Sequence, residues 1–193
     1  MLTEIDTIYR NLSLPRNQLQ ARIAIFDMIR DIPYAVIPEL NNYRTYTQIL
    51  KYNKGSCMPK HLLLCQLFQK MGLDVLYAVY PFLWKDFNHL YPTEIRKLAD
   101  TLPVSYHLCC RINIQDSLVL VDATLDSALE KTGLIVNNKW DGVSNTVLPV
   151  RPCGEEVLYH PSEAYVMEGR KYDDNELEFF SKLNVWLQEG RLK

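Results

Sequence analysis

The sequence has no run of like charges, no basic stripe interleaved with aromatic residues, and no apolar stretch approaching the length of a membrane span. It also has no internal repeat, no low-complexity segment and no Pro/Gly/Ser-rich linker. Each absence excludes something. Twenty-one Lys and Arg against 23 Asp and Glu give a formal net charge of -2, which leaves nucleic acid no electrostatic footprint. A helical membrane crossing needs roughly 20 consecutive apolar residues, so no membrane partner is expected. The N-terminus, MLTEIDTIYR, places acidic residues where a secretory signal needs basic ones, and the expected location is the cytoplasm.

Without a linker or repeat, the expectation is a single domain over 1–193. It reads as a helical part (1–46), a core that holds the chemistry (47–126), and a C-terminal part of strands, loops and a closing helix (127–193). At this length a chain buries roughly 70% of the surface it exposes when unfolded, so neither disulfides nor a metal are needed to supply the core. Cysteine is scarce and odd in number: residues 57, 65, 109, 110 and 153. All five are expected to stay reduced, and the default role of each is a small buried hydrophobe. Cys109 and Cys110 are adjacent in a strand-like run and point to opposite faces, so they make neither a disulfide nor a joint ligand with each other. Cys110 reads as core.

Leu2, Ile5, Ile8, Tyr9 and Leu12 fall at helical spacing, and Pro15 separates that short helix from a second over about 17–31. Ile32 precedes Pro33 and is thereby pushed out of the α region, which ends the second helix. Thr47 is expected to cap a short helix running to about Asn53, with Gly55 as the left-handed residue at its end. From Cys57 a new helix begins. Ser56 is its N-cap, Pro59 is tolerated in the first turn, and Leu63, Leu64, Leu67 and Phe68 share the buried side up to Gly72. Three runs, 74–80, 104–114 and 118–124, read as strands, the last two forming an antiparallel hairpin about Gln115-Asp116-Ser117. The aromatic-rich excursion 81–103 can hold a helix near Pro92 and overhang a site, and 173–188 reads as a final helix capped by Asp173 or Asp174.

A cysteine in the first turn of a helix meets unsatisfied backbone N–H groups and the positive end of the dipole, both of which favour thiolate over thiol. The same N–H groups can hold the oxyanion formed when that thiolate attacks a carbonyl, and Gly55 just upstream would let a substrate backbone approach. A thiolate so placed needs a base, and His107 near the start of its strand is the candidate. If Gln115-Asp116 make the turn, Ile114 faces Ser117 and His107 faces Thr124. Asp122 then shares a face with His107, one diagonal step away at roughly 7 to 8 Å between backbones. Leu118 and Leu120 lie on that face and Val119, Val121 and Ala123 on the other, so the strand is expected to be buried. A buried carboxylate there is costly unless it pairs with a histidine, whose tautomer it then fixes.

In three places and in order, GSCMPKHLLLCQLFQKMGLDVLYAV, SYHLCCRINI and LVLVDATLD, the chain resembles the transglutaminase-like superfamily of papain-like cysteine enzymes. The resemblance covers about residues 47–126. It implies an α+β fold in which the nucleophile helix packs on an antiparallel sheet, flanked here by extra N- and C-terminal helices. It also implies that Cys57 is the nucleophile, His107 the base and Asp122 the residue orienting the base. Leu108, Cys109 and Cys110 depart from the residues that usually follow the family's histidine, and Lys60 and His61 from those that follow its cysteine. No calcium-binding loop of the animal transglutaminase kind is present.

The expected chemistry is thiol-dependent acyl transfer on a peptide or protein amide, with water as the first choice of acceptor and an amine as the second. A non-catalytic interaction module on the same fold is the reading outside that class. No cofactor and no metal are expected. Cys57, His61 and Cys65 fall at i, i+4 and i+8, but the outer two lie about 12 Å apart along the axis, too far to converge on one ion. His89 and His160 read as solvated side chains. Trp84, Phe87 and Tyr91 suit either a substrate groove or a core cover.

Overall fold

The computed structural model describes residues 3–168 and 170–193. Helix α1 (Glu4–Asn11) starts at Thr3, whose hydroxyl and backbone N–H exchange hydrogen bonds with Asp6 in a capping box. Ile5, Ile8, Tyr9 and Leu12 face the core as the spacing requires; Leu2 lies outside the described residues. Helix α2 (Gln18–Arg30) is capped by Asn17 and gives way to Asp31 two residues ahead of Pro33.

The next turn differs from the sequence expectation. A 3-10 turn, Tyr46–Gln48, leads into α3 (Ile49–Tyr52), and the left-handed residue that closes it is Asn53, φ 49°, not Gly55. Asparagine tolerates that region almost as glycine does. Thr47 does not cap; its hydroxyl donates to Glu4. Gly55 is extended and forms a parallel bridge with Tyr34. A Cβ there would sit 2.7 Å from Ile49 Cγ2, so its small size serves close packing against α3 rather than substrate approach.

Helix α4 (Cys57–Lys70) lies on a four-stranded antiparallel sheet of order β3-β2-β1-β4, and the fold is α+β. Strands β1 (Val75–Phe82) and β2 (Ser105–Ile114) pair along their length. Gln115 and Asp116, both at positive φ, return the chain into β3 (Ser117–Val121) with Ile114 opposite Ser117. Leu63, Leu64, Leu67 and Phe68 of α4 pack with Val75, Tyr77, Leu108 and Ile112 of the sheet. On the far face Ala78, Tyr80, Cys109 and Leu120 form a smaller cluster. β3 is an edge strand: Leu118 is exposed, and the 145–146 segment bonds Leu120 on both its N–H and C=O. The short β4 (Val157–Tyr159) forms the opposite edge.

Cys65 and Cys110 are joined by a disulfide with Cα atoms 6.2 Å apart, which corrects the expectation that all five cysteines are reduced. Both residues are buried in the core shared by α4 and β2, where each reads as a small hydrophobe taken alone. Only their tertiary proximity distinguishes a bonded pair. The free cysteines are 57, 109 and 153.

A second apolar cluster is built from α5 (Thr93–Ala99), the 3-10 turn Trp84–Phe87 and the closing helix α6 (Asp174–Arg191). α6 starts at Asp173 with a capping box to Glu176 and runs three residues past the expected end. Arg191 explains the extension: its guanidinium bonds Asp126 and the carbonyl of Tyr34, docking the last turn onto the core. Among the described residues no helix is long and apolar enough to cross a membrane.

Candidate active site

Cys57 is the first residue of α4, with Ser56 extended at the N-cap position. Ser56 does not cap the helix with its side chain, contrary to expectation. Its hydroxyl donates to the Asn41 side-chain oxygen, while Asn41 Nδ2 donates to the Tyr172 hydroxyl at 3.1 Å. Among the described residues no side chain caps the first-turn N–H groups, and Ser56, Cys57 and Met58 all line one cavity.

His107 and Asp122 meet as the hairpin register requires. His107 Nε2 and Asp122 Oδ2 are 2.5 Å apart, and both residues are buried. Asp122 follows the last residue of β3, where the chain leaves the ladder, and its backbone groups find other partners. Its N–H donates to Thr146 Oγ1 at 2.8 Å, its carbonyl accepts from Asn137 Nδ2 at 3.0 Å, and its free Oδ1 takes the Thr124 N–H at 3.0 Å. Thr146 and Asn137 lie in an irregular stretch with no periodicity, so nothing in the sequence singled them out.

The pair is electrostatically matched. Burial alone depresses a histidine pKa, but the Asp122 charge and hydrogen bond, helped by the Cys57 side chain, raise that of His107 to about 10. For Asp122 burial works against the carboxylate, and His107 reverses this, holding its pKa below the ordinary value. With Nε2 committed to Asp122, the remaining ring nitrogen is the one available to the Cys57 thiol. The two side chains line the same cavity, and Cys57 contributes to the upward shift of His107.

Lys60 and His61, one turn along α4, are fully buried. Lys60 Nζ donates to the carbonyls of Arg30, Ile32 and Thr124 at 2.9, 2.8 and 2.6 Å. Burial lowers its pKa to about 7, yet only the ammonium form has three N–H bonds for three acceptors. His61 Nδ1 lies 2.9 Å from the Cys57 carbonyl and Nε2 accepts the Ala123 N–H at 2.9 Å, which defines a neutral ring protonated on Nδ1. Burial takes its pKa down to about 4. Neither side chain lines the cavity; both hold the backbone that follows Asp122 against α4.

The Cys57-His61-Cys65 set does not assemble a metal centre, because Cys65 is in the disulfide and both His61 nitrogens are taken. His107, Cys109 and Asp122 do bring one ligand atom each within 4.8 Å of one another. An ion there would have to displace the proton between His107 and Asp122. Cys109, read from sequence as unremarkable, thus lies beside the pair.

The cavity measures about 720 Å³ and takes in Cys57, His107 and Tyr34, together with Trp84, Phe87 and Tyr91 from the excursion between β1 and β2. Those three aromatics do both things open to them: they line the cavity and pack in the second cluster. No local sequence signal marks Tyr34. Its backbone bridges to Gly55, two residues before Cys57, and its phenol is held well above the usual tyrosine pKa by burial and then by the neighbouring Cys57 charge. His89 is exposed, and the exposed His160 turns its ring onto Ser162 at the start of a 3-10 turn.

No family model and no curated protein matches the sequence. Among solved structures the chain is similar to a "putative cysteine protease" from Cytophaga hutchinsonii, at 18% identity and a TM-score of 0.40. The match covers 62% of this chain and 36% of that one, so the chain corresponds to well under half of its length.

Proposed function

We propose that this chain is a thiol-dependent acyl-transfer enzyme of the cysteine peptidase or amidase kind, as its resemblance to the transglutaminase-like superfamily implies. Cys57 is the nucleophile, His107 the acid and base, and Asp122 the orienting group. The observation that carries the reading is a buried, ion-paired imidazole opening onto the same cavity as a thiol at an uncapped helix N-terminus. The Cys57 sulfur attacks the carbonyl carbon of an amide, and the uncapped N–H groups of the first turn of α4 receive the oxyanion. His107 passes its proton to the leaving amine as the C–N bond breaks, leaving a thioester on Cys57. Water then adds to the thioester, giving a proton to His107, and the acid departs. Asp122 carries charge throughout and keeps the imidazolium beside the sulfur.

Intact-mass analysis after exposure to an activated acyl ester tests this. One acyl group should appear on Cys57 and decay in water, and neither Cys57→Ala nor His107→Ala should accumulate it. Faster decay with added primary amine would assign the acceptor as an amine and make the protein a transglutaminase. Absence of acylation in the folded wild-type chain would leave the interaction-module reading.

A further inference from the structure

We infer that the group transferred by Cys57 is a large apolar acyl group, seated in the inner part of the cavity with its polar leaving group directed outward; this rests on the reading of Cys57 as the acylated nucleophile. Cys57 is half-buried, and the residues that line the cavity with it are of two kinds, deeply buried apolar ones and exposed polar ones. On the inner side Leu125, Phe180, Leu183 and Leu187 are buried, the last two at 2% and 1% exposure. All four belong to the apolar cluster that α6 completes. On the outer side Tyr106 is 66% exposed, and the acidic and basic residues of the lining, Glu155, Glu168 and Arg170, are exposed as well.

An ionised acyl group pushed inward would lose its hydration with no charged partner in return. An apolar one would remove its own surface and that of the wall from water. A cavity of about 720 Å³ lies within the range of sites for small organic ligands and exceeds what an acetyl group fills. The lining of the inner end is mixed aromatic and aliphatic, which suits either an alkyl chain or an aromatic aminoacyl group. The shared chemistry is an apolar group on the carbonyl side of the bond that breaks.

The test uses the full chain with 4-nitrophenyl acetate, butyrate, hexanoate and N-acetylphenylalaninate. In each case the sulfur–carbon bond forms as the carbon–oxygen bond breaks and 4-nitrophenolate leaves with the electron pair. Water then adds at the same carbon, passes a proton to His107, and the sulfur–carbon bond breaks to release the acid. Acylation kcat/KM should rise about fourfold for each methylene buried, roughly two orders of magnitude from acetate to hexanoate. Leu134→Glu, at a half-buried position of the lining, should lower the hexanoate-to-acetate ratio at least tenfold. Because that variant could misfold, quenching of tryptophan fluorescence by hexanoate binding to Cys57→Ala gives an independent readout on Trp84 and Trp186, both in the lining. A faster phenylalanyl than hexanoyl ester would assign the acyl group to peptides, and the reverse order to lipids; both outcomes support the apolar seat. Acylation of Cys57 by acetate as fast as by hexanoate overturns the inference and leaves the enzyme reading standing. No acylation by any ester removes both.

Discussion

Asp122→Asn is the substitution that separates a catalytic pair from a buried polar contact, because it preserves size while removing the charge. In the wild type His107 Nε2 faces a carboxylate oxygen at 2.5 Å, with both residues buried, and its pKa stands at about 10. His61, equally buried and with no carboxylate hydrogen-bonded to its ring, has its pKa taken down to about 4, chiefly by burial, with the neighbouring His107 and Lys60 adding to the drop and Asp122 opposing it. The variant should therefore move His107 from the first value towards the second, so that at pH 7 the ring is neutral. An amide NH2 pointed at Nε2 would also drive the proton onto the nitrogen facing Cys57, the wrong tautomer for a base. Alkylation of Cys57 by iodoacetamide at pH 6, followed by peptide mass spectrometry, should slow by at least tenfold, and acyl transfer by up to about 10⁴. Stability should fall by about 3 kcal/mol, at the low end for breaking a buried pair because His107 can shed its proton. A raised folded pKa stabilises fully below about 6.5 and is lost as pH climbs through about 10, so wild type should lose this increment on alkalinisation and the variant should not. Lys60, with its pKa lowered to about 7, works in the opposite sense over that window, so only the difference between the two proteins is diagnostic. If the two proteins alkylate at the same rate from pH 6 to 9, the His107–Asp122 pair does not activate Cys57.

His61 should behave differently. Its folded pKa lies below the unfolded one, so the unfolded chain takes up the proton first and stability should fall as pH drops from about 6.5 to about 4; urea midpoints at the two ends check this, and a flat response refutes the neutral-ring assignment. Lys60→Met keeps the length and leaves three buried carbonyls without a donor, which should cost about 3 kcal/mol at roughly 1 kcal/mol each; an unchanged urea midpoint would contradict it. Reducing the Cys65–Cys110 disulfide, which closes a loop across a separation of 45 residues, should destabilise by about 4 kcal/mol on the chain-entropy argument, and equal midpoints with and without reductant would refute that.

The strongest sequence expectations were those in which one local rule fixed a long-range geometry. Gln115-Asp116 set the hairpin register, and with it His107 and Asp122 came to share a face. A cysteine after a capping-type serine and before Pro59 set a helix start at Cys57. The failures are also physical. Serine is a capping residue by local rule, but Asn41 offers Ser56 a tertiary acceptor that no local pattern reveals. Conformational freedom is the local reason to place glycine at 55, whereas packing against Ile49 is what needs it small. Cys65 and Cys110 each fitted a core position, and only the docking of α4 on β2 shows that they meet. The stretch 127–160 has little regular structure, so the residues in it that hold Asp122, Asn137 and Thr146, carry no periodic signal.

One helical turn unites these features. The chain must leave the sheet after Val121 so that Asp122 can reach His107 from the end of its strand. A departing strand sheds ladder partners, and each buried backbone group then needs a replacement. Thr146 and Asn137 supply them for Asp122, and α4 supplies them for the next two residues, through His61 to the Ala123 N–H and Lys60 to the Thr124 carbonyl. Cys57 lies on the same turn, its carbonyl bonded to the other His61 nitrogen. Cys57 and the backbone that follows Asp122 are therefore held by the same turn of helix rather than by two independent loops. A buried lysine and histidine, which burial alone disfavours, are tolerated because every polar hydrogen they carry has an acceptor and because removing either would loosen the Asp122 segment from the helix that carries Cys57.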